Sequence, residues 1–170
     1  MPTEVVNART RVWALALIWL IPLLWTVNIV AARQAPGVVS PVRVAFIDPL
    51  SGPAGDIGRN SLHSWQFMAE RLQVQAGVRF RVAGFDNKGS PQESLNALKA
   101  AIDQGFRYVT QGNGSGAAAA ILDAVNKHNA RNPGKEVVFL NVGGEALELT
   151  GQKCHFYHFR FTTNADLRVK

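Results

Sequence analysis

The sequence predicts an α/β fold: a parallel sheet with helices on both faces, preceded by one apolar N-terminal helix. Three observations predict it. Short apolar runs alternate with segments of helical periodicity, and alternation of that kind builds a parallel sheet. One of the runs passes through a glycine-rich turn straight into an alanine-rich helix. An uncharged apolar stretch stands ahead of the whole series. Hydrophobic content of 47% beside 18% charged residues belongs to a folded chain, and 170 residues suffice for one domain with a core.

The N-terminal segment comes first. Arg9 and Arg11 precede residues 12–32, an uncharged run that contains Trp13, Trp19, Pro22 and Trp25. A positive flank before an apolar run describes an export signal. The run also matches the roughly 20 residues that span a bilayer as a helix. Residues 1–32 therefore read as a signal peptide or an uncleaved signal anchor. Val30, Ala31 and Ala32 offer small side chains for cleavage ahead of Arg33. In both cases the remainder is exported, either periplasmic or anchored at the inner membrane and facing the periplasm. Residues 33–41, with Pro36, Gly37 and Pro41, form a linker, and 42–170 form the domain proper.

Within that domain residues 42–47 are a mostly apolar run suited to a buried strand. The loop 48–58 is dense in turn formers. Asn60 or Ser61 can cap a helix to about Gln75, with Leu62, Trp65, Met68, Ala69 and Leu72 on one buried face and Gly77 as its stop. Residues 78–85 are the next strand. Ser90, Pro91 and Glu93 then form a capping box with proline at the first helical position. That helix buries Leu95, Leu98, Ala101 and Ile102 and ends at Gly105. Residues 106–111 are the third strand, 112–116 the glycine-rich turn and 117–125 its helix. Asn132, Pro133 and Gly134 break the chain before a fourth strand at 136–141. A further strand-like run covers 154–161, and Asn164 or Thr163 caps a final helix start. In such a sheet ligands bind outside the carboxyl ends of the strands. The loops there are 48–58, 86–90, 111–116 and 142–150.

Several function classes find little support. The net charge of +6 comes from scattered basic residues, with no run interleaved with aromatics, which argues against nucleic acid. The lone Cys154 allows no intrachain disulfide and no cysteine metal site, and a small buried role suits it. His155 and His158 are three apart in a predicted strand, so they face opposite ways and share no metal. Ser115 lies outside a nucleophile elbow and has no nearby His–Asp pattern. The sequence implies no enzyme and no cofactor.

The turn Gly112-Asn113-Gly114-Ser115-Gly116 is the main site candidate. A helix opening there directs unpaired backbone N–H groups outward, and its dipole favours negative charge. Gly114, Ser115 and Gly116 could cradle a carboxylate or phosphate, or form a tight turn with no ligand. The spacing Gly112-x-Gly114-x-x-Ala117 also meets a loose dinucleotide fingerprint. However, it follows the third strand, and the next strand ends in Asn141 where an acidic residue is wanted.

The chain resembles a known family at five places in order. Residues 42–55 (VRVAFIDPLSGPAG) resemble the first strand and ligand loop of the branched-chain amino acid (Leu/Ile/Val)-binding proteins. These are the type I periplasmic solute receptors of ABC importers. Residues 85–94 (FDNKGSPQES) resemble the second strand end and its helix, and 103–116 (DQGFRYVTQGNGSG) the third strand and the ligand-binding serine loop. Residues 139–150 and 159–161 fit the next two segments. The resemblance implies a fold of two lobes closing on a small ligand, with only the N-terminal lobe present here, so that the chain reads as truncated. It implies that Ser115 and nearby N–H groups hold the carboxylate of an amino acid or amide-like solute. It places Gly144 and Glu145 where family members use backbone and a threonine around the ligand, and Ile57 where an aromatic often covers it. Glu145 departs from the threonine, and the disulfide of some members has no counterpart. The implied partners are an ABC importer permease, if a second lobe is present, and the membrane, if the N-terminal helix is uncleaved.

Overall fold

A computed structural model describes residues 40–169. The apolar run 12–32 and most of the linker lie outside the described residues. Among the described residues no helix is long and apolar enough to cross a membrane.

The elements follow the predicted order: β1 (Val42–Asp48), α1 (Gly55–Ala76), β2 (Phe80–Asp86), α2 (Pro91–Asp103), β3 (Tyr108–Gln111), α3 (Ser115–Arg131), β4 (Val138–Asn141), a 3₁₀ turn (Leu147–Leu149), β5 (His158–Arg160) and α4 (Ala165–Arg168). The strands make one five-stranded sheet in the order β2-β1-β3-β4-β5. All four pairings are parallel. Ala45, Ile47, Val109 and Phe139 face α2 and α3, where Leu98, Ala101, Ile121, Leu122 and Val125 complete the main core. The opposite face carries α1, with the Phe46 and Trp65 rings 6.4 Å apart.

Local chemistry explains most boundaries. Ser90 accepts from the Glu93 N–H at 3.5 Å, and Pro91 opens α2. The Ser90 N–H donates to the Asn87 carbonyl instead of closing a full capping box. Gly77 ends α1 in the left-handed region at φ 66°. The Asn129 side chain exchanges two hydrogen bonds with the Val137 backbone, at 2.8 and 2.9 Å, and so fixes the step from α3 to β4.

Three local expectations need correction. Helix α1 begins at Gly55, ahead of Asn60 and Ser61, and Ala54 precedes it without a side-chain cap. Its glycines are packing residues: a Cβ at Gly58 would meet the Pro49 carbonyl oxygen at 1.8 Å. Met68 and Leu72 are 51% and 39% exposed. Helix α1 leaves part of its sheet face uncovered, and these side chains line an apolar groove there with Val42, Tyr108 and Leu140. The run 154–161 pairs only over His158–Arg160, and the preceding turns leave Cys154 exposed.

Candidate functional site

The last residues of four neighbouring strands are Asp48, Asp86, Gln111 and Asn141, in register as the pairs Asp48–Asp86 and Gln111–Asn141. Each ties a loop at the sheet's carboxyl edge. Asp48, fully buried, accepts from the Gly112 N–H at 3.1 Å and from Asn113 Nδ2 at 2.7 Å. Burial pushes its carboxyl above the usual range, and those donors offset part of the shift. Asp86 accepts from the Leu50 N–H (2.9 Å), Ser51 Oγ (2.5 Å) and the Lys88 N–H (2.9 Å). Desolvation works to raise this carboxyl, but the donors outweigh it and hold it below the usual range. Gln111 is buried beneath the glycine turn, its amide donating to the carbonyls of Asn113 and Gly114, while Oε1 has no partner among the described residues. Asn141 Oδ1 accepts from Gly143 N–H (3.2 Å) and Gly144 N–H (2.6 Å), and its Nδ2 returns to the Gly144 carbonyl at 3.0 Å.

These ties press the two glycine loops together. A Cβ at Gly143 would stand 1.8 Å from the Gly112 carbonyl oxygen, and one at Gly144 would stand 2.6 Å from Ala118 Cβ. Only glycine permits the approach at 143. Gly114 precedes α3 at φ 83°, again a glycine conformation.

Ser115 is the first residue of α3 and joins the loops. Its Oγ accepts from the N–H groups of Glu145 and Ala146, both at 3.1 Å. Both lone pairs are thereby used, and the O–H is left to donate. The opening amides of α3, at Ser115, Gly116 and Ala117, have no acceptor among the described residues. The junction thus presents donors, which suits an anionic or carbonyl oxygen.

The structure brings Ser115, Gly114, Gly116, Gly144 and Glu145 into this junction. The N–H groups of Gly144 and Glu145 are engaged within it, by Asn141 and Ser115. Ile57 lies on the first turn of α1 and is 61% exposed. Glu145 pairs with Arg168, and its carbonyl accepts from the Ala165 N–H at 3.1 Å, so α4 docks on the same loop. Sequence reading overlooked Asp48, Gln111 and Asn141 as loop ties. Their signal was present: each is a polar residue closing an apolar strand.

A family model for periplasmic binding proteins matches residues 41–169. The chain belongs to the periplasmic binding protein family. It is 39% identical over 142 residues to the Leu/Ile/Val-binding protein homolog 4 of Brucella abortus and of Brucella suis, covering 82% of this chain and 34% of theirs. The solved leucine-, isoleucine-, valine-, threonine- and alanine-binding protein of Brucella ovis, in its closed conformation, superposes with TM-score 0.69 at 40% identity, over 74% of this chain and 33% of that one. The branched-chain amino acid transporter substrate-binding protein of Streptococcus pneumoniae, solved with isoleucine, shares the fold at TM-score 0.61 and 19% identity, over 74% of this chain and 34% of that one. This periplasmic binding protein chain spans about a third of the length of those relatives. The match covers the N-terminal lobe, the part that carries the Ser115 junction.

Proposed function

We propose that this chain is the ligand-receiving N-terminal lobe of an exported solute-binding protein that serves an ABC importer. Its ligands are branched-chain amino acids or related small solutes, including amide-like ones. The observation that carries the reading is the Ser115 junction, where the Ser115 O–H and the first amides of α3 are left as donors at the carboxyl edge of the sheet. The relatives' names, Leu/Ile/Val-binding and leucine-to-alanine-binding, support the solute class. The role is binding, without catalysis. The compartment is the periplasm, and the importer's permease is the partner of the two-lobed protein.

A single lobe buries one side of a ligand, while tight small-molecule sites bury most of the ligand's surface. Binding by this chain alone is therefore weak, in the millimolar range. Calorimetric titration of the purified chain with a panel of amino acids and amides tests this. Micromolar affinity would overturn the half-site reading, and retention on a nucleotide resin would redirect the function to nucleotide chemistry.

A second reading rests on the apolar run 12–32, which is long enough to remain as a tether. The lobe would then be a membrane-anchored ligand sensor of the same fold. N-terminal sequencing of the protein from cells decides between the two: a start at or near Arg33 removes the tether.

A further inference from the structure

The amino edge of the sheet, at the other end of the strands from the Ser115 junction, gathers basic residues from four segments. Arg43 is the second residue of β1, Arg79 and Arg81 flank the start of β2, and Arg107 precedes β3. Arg131 ends α3, and Lys135 lies in the turn before β4. Backbone bonds bring these segments side by side: the Val42 N–H donates to the Arg79 carbonyl and the Val138 N–H to the Arg107 carbonyl, both at 2.8 Å. The Asn129 side chain holds the end of α3 against the approach to β4. The carboxylates at this edge, among the described residues, are Asp103 and Glu136. Asp103 is already paired with Lys99 at 2.6 Å, and Glu136 accepts from the Gly134 N–H at 2.9 Å.

The fold alone does not account for this arrangement. Arg43 stands directly opposite Arg81 in the register of β1 and β2, and like charges so placed destabilise a sheet. Arg43 finds the Gln104 carbonyl at 2.8 Å and the Phe106 ring at 4.1 Å. Arg81, Arg131 and Lys135 are exposed, and none of them has an ion pair among the described residues. Cations often complement a helix C-terminus, yet α1 and α2, which also end at this edge, carry none in their last turn. The charge is spread over four neighbouring strand starts, about 15 Å across. That is a plane of charge, suited to a surface of repeated anions more than to one small anion. The chain also enters the lobe at this edge, at Val42, with the apolar run 12–32 ahead of it in sequence.

We propose that the amino edge is a docking face for a lipid bilayer with anionic headgroups. Docking by this edge turns the Ser115 junction, at the carboxyl edge, away from the lipid and toward solute. The proposal goes beyond the solute-binding reading and does not depend on which solute is bound.

The full chain is added to nanodiscs of phosphatidylcholine alone, and of phosphatidylcholine mixed equally with phosphatidylglycerol. Both carry a gadolinium-chelating headgroup lipid, and amide broadening is read by NMR. In the mixed discs the amides of residues 79–81, 107 and 131–136 should broaden well beyond those of 112–116 and 142–146. The contrast should vanish in phosphatidylcholine discs, and in about 1 M salt, where the Debye length falls to about 3 Å. Each basic residue beside an anionic leaflet strengthens binding about fivefold. The triple substitution Arg81→Gln, Arg131→Gln and Lys135→Gln should therefore weaken docking about a hundredfold, with an otherwise unchanged spectrum showing that the lobe is folded. Equal broadening at both edges in the mixed discs overturns the proposal. So does a contrast that persists in phosphatidylcholine or survives the triple substitution. Broadening centred on Met68 and Leu72 also overturns it, and makes the apolar groove of α1 the lipid contact.

Discussion

Replacing Gly143 by alanine tests how tightly the two glycine loops are joined. The added Cβ would stand 1.8 Å from the Gly112 carbonyl oxygen, 2.4 Å from its carbon and 3.1 Å from its Cα. All three are backbone atoms, so no side chain can rotate out of the way. Restoring ordinary contact requires the loops to part by roughly 1.5 Å. That movement stretches the bond from the Val142 N–H to the Gln111 carbonyl, now 3.1 Å, beyond hydrogen-bonding range. It also pulls on the Gly112 N–H held by Asp48 at 3.1 Å. Overpacking costs ~1–3 kcal/mol and a lost hydrogen bond about 1 more, so the expected loss is ~2–4 kcal/mol. Urea unfolding followed by circular dichroism measures it. Gly116→Ala is the control: its Cβ meets only Pro91 Cγ, at 3.6 Å, and lies inside α3. That variant should be neutral or gain up to ~1 kcal/mol of helix propensity. If Gly143→Ala unfolds within about 0.5 kcal/mol of the wild type, the loops are not in close contact and the reasoning fails.

The remaining predictions concern the junction, the strand ends and the α1 face. Ser115→Ala leaves the N–H groups of Glu145 and Ala146 without their acceptor and should lower stability by ~1–3 kcal/mol, read by the same urea titration. Asp48 and Asp86 should show opposite pH signatures. The raised carboxyl of Asp48 contributes stability below its unfolded value near ~4 and loses it as pH rises through the folded value, so the wild type should weaken against Asp48→Asn on going from acid to neutral pH. The depressed carboxyl of Asp86 contributes stability above that value and loses it as pH falls, so Asp86→Asn should be harmful at neutral pH and harmless in acid. Paired unfolding curves from pH 3 to 7 check both signs. Met68→Ala should cost about 1 kcal/mol or less and Leu122→Ala ~2–5, because the first lines an open groove and the second is fully buried.

The fold was legible because its signals are local and repeated. The capping chemistry at Ser90, the stop at Gly77 and the turn at Asn132–Gly134 each mark a boundary on their own. The start of α1 was not legible, because Gly55 and Gly58 look like loop residues in sequence. Their role as small contacts against Pro49 and Leu50 exists only in three dimensions. The exposure of Met68 and Leu72 escaped for a related reason: periodicity identifies an apolar face but does not tell how much of that face a sheet covers. At the site, Ser115 stood out through its glycine neighbours. Gln111 and Asn141 tie the loops that directly follow them, and the sign of this is a polar residue closing an apolar strand; Asp48 ties a loop up to 65 residues away, and no local pattern encodes that partner.

The placement of those three residues has a physical logic that extends to Asp86. Beyond the last ladder bond of a parallel strand, the loop backbone must find partners or stay in water. A short polar side chain at the strand's final position reaches the loop and supplies those partners, and the rigid sheet fixes its direction. Asn141 does this for its own loop, Asp48 for the loop after β3, and Asp86 for the loop after β1. The donors that remain, the Ser115 side-chain O–H and the first backbone amides of α3, are then oriented before a ligand arrives. Ordering is already complete in the folded lobe, so a ligand need not pay for it on binding. Backbone donors of this kind recognise an oxygen but do not distinguish one solute from another. Discrimination falls to the side chains on the rim of the junction.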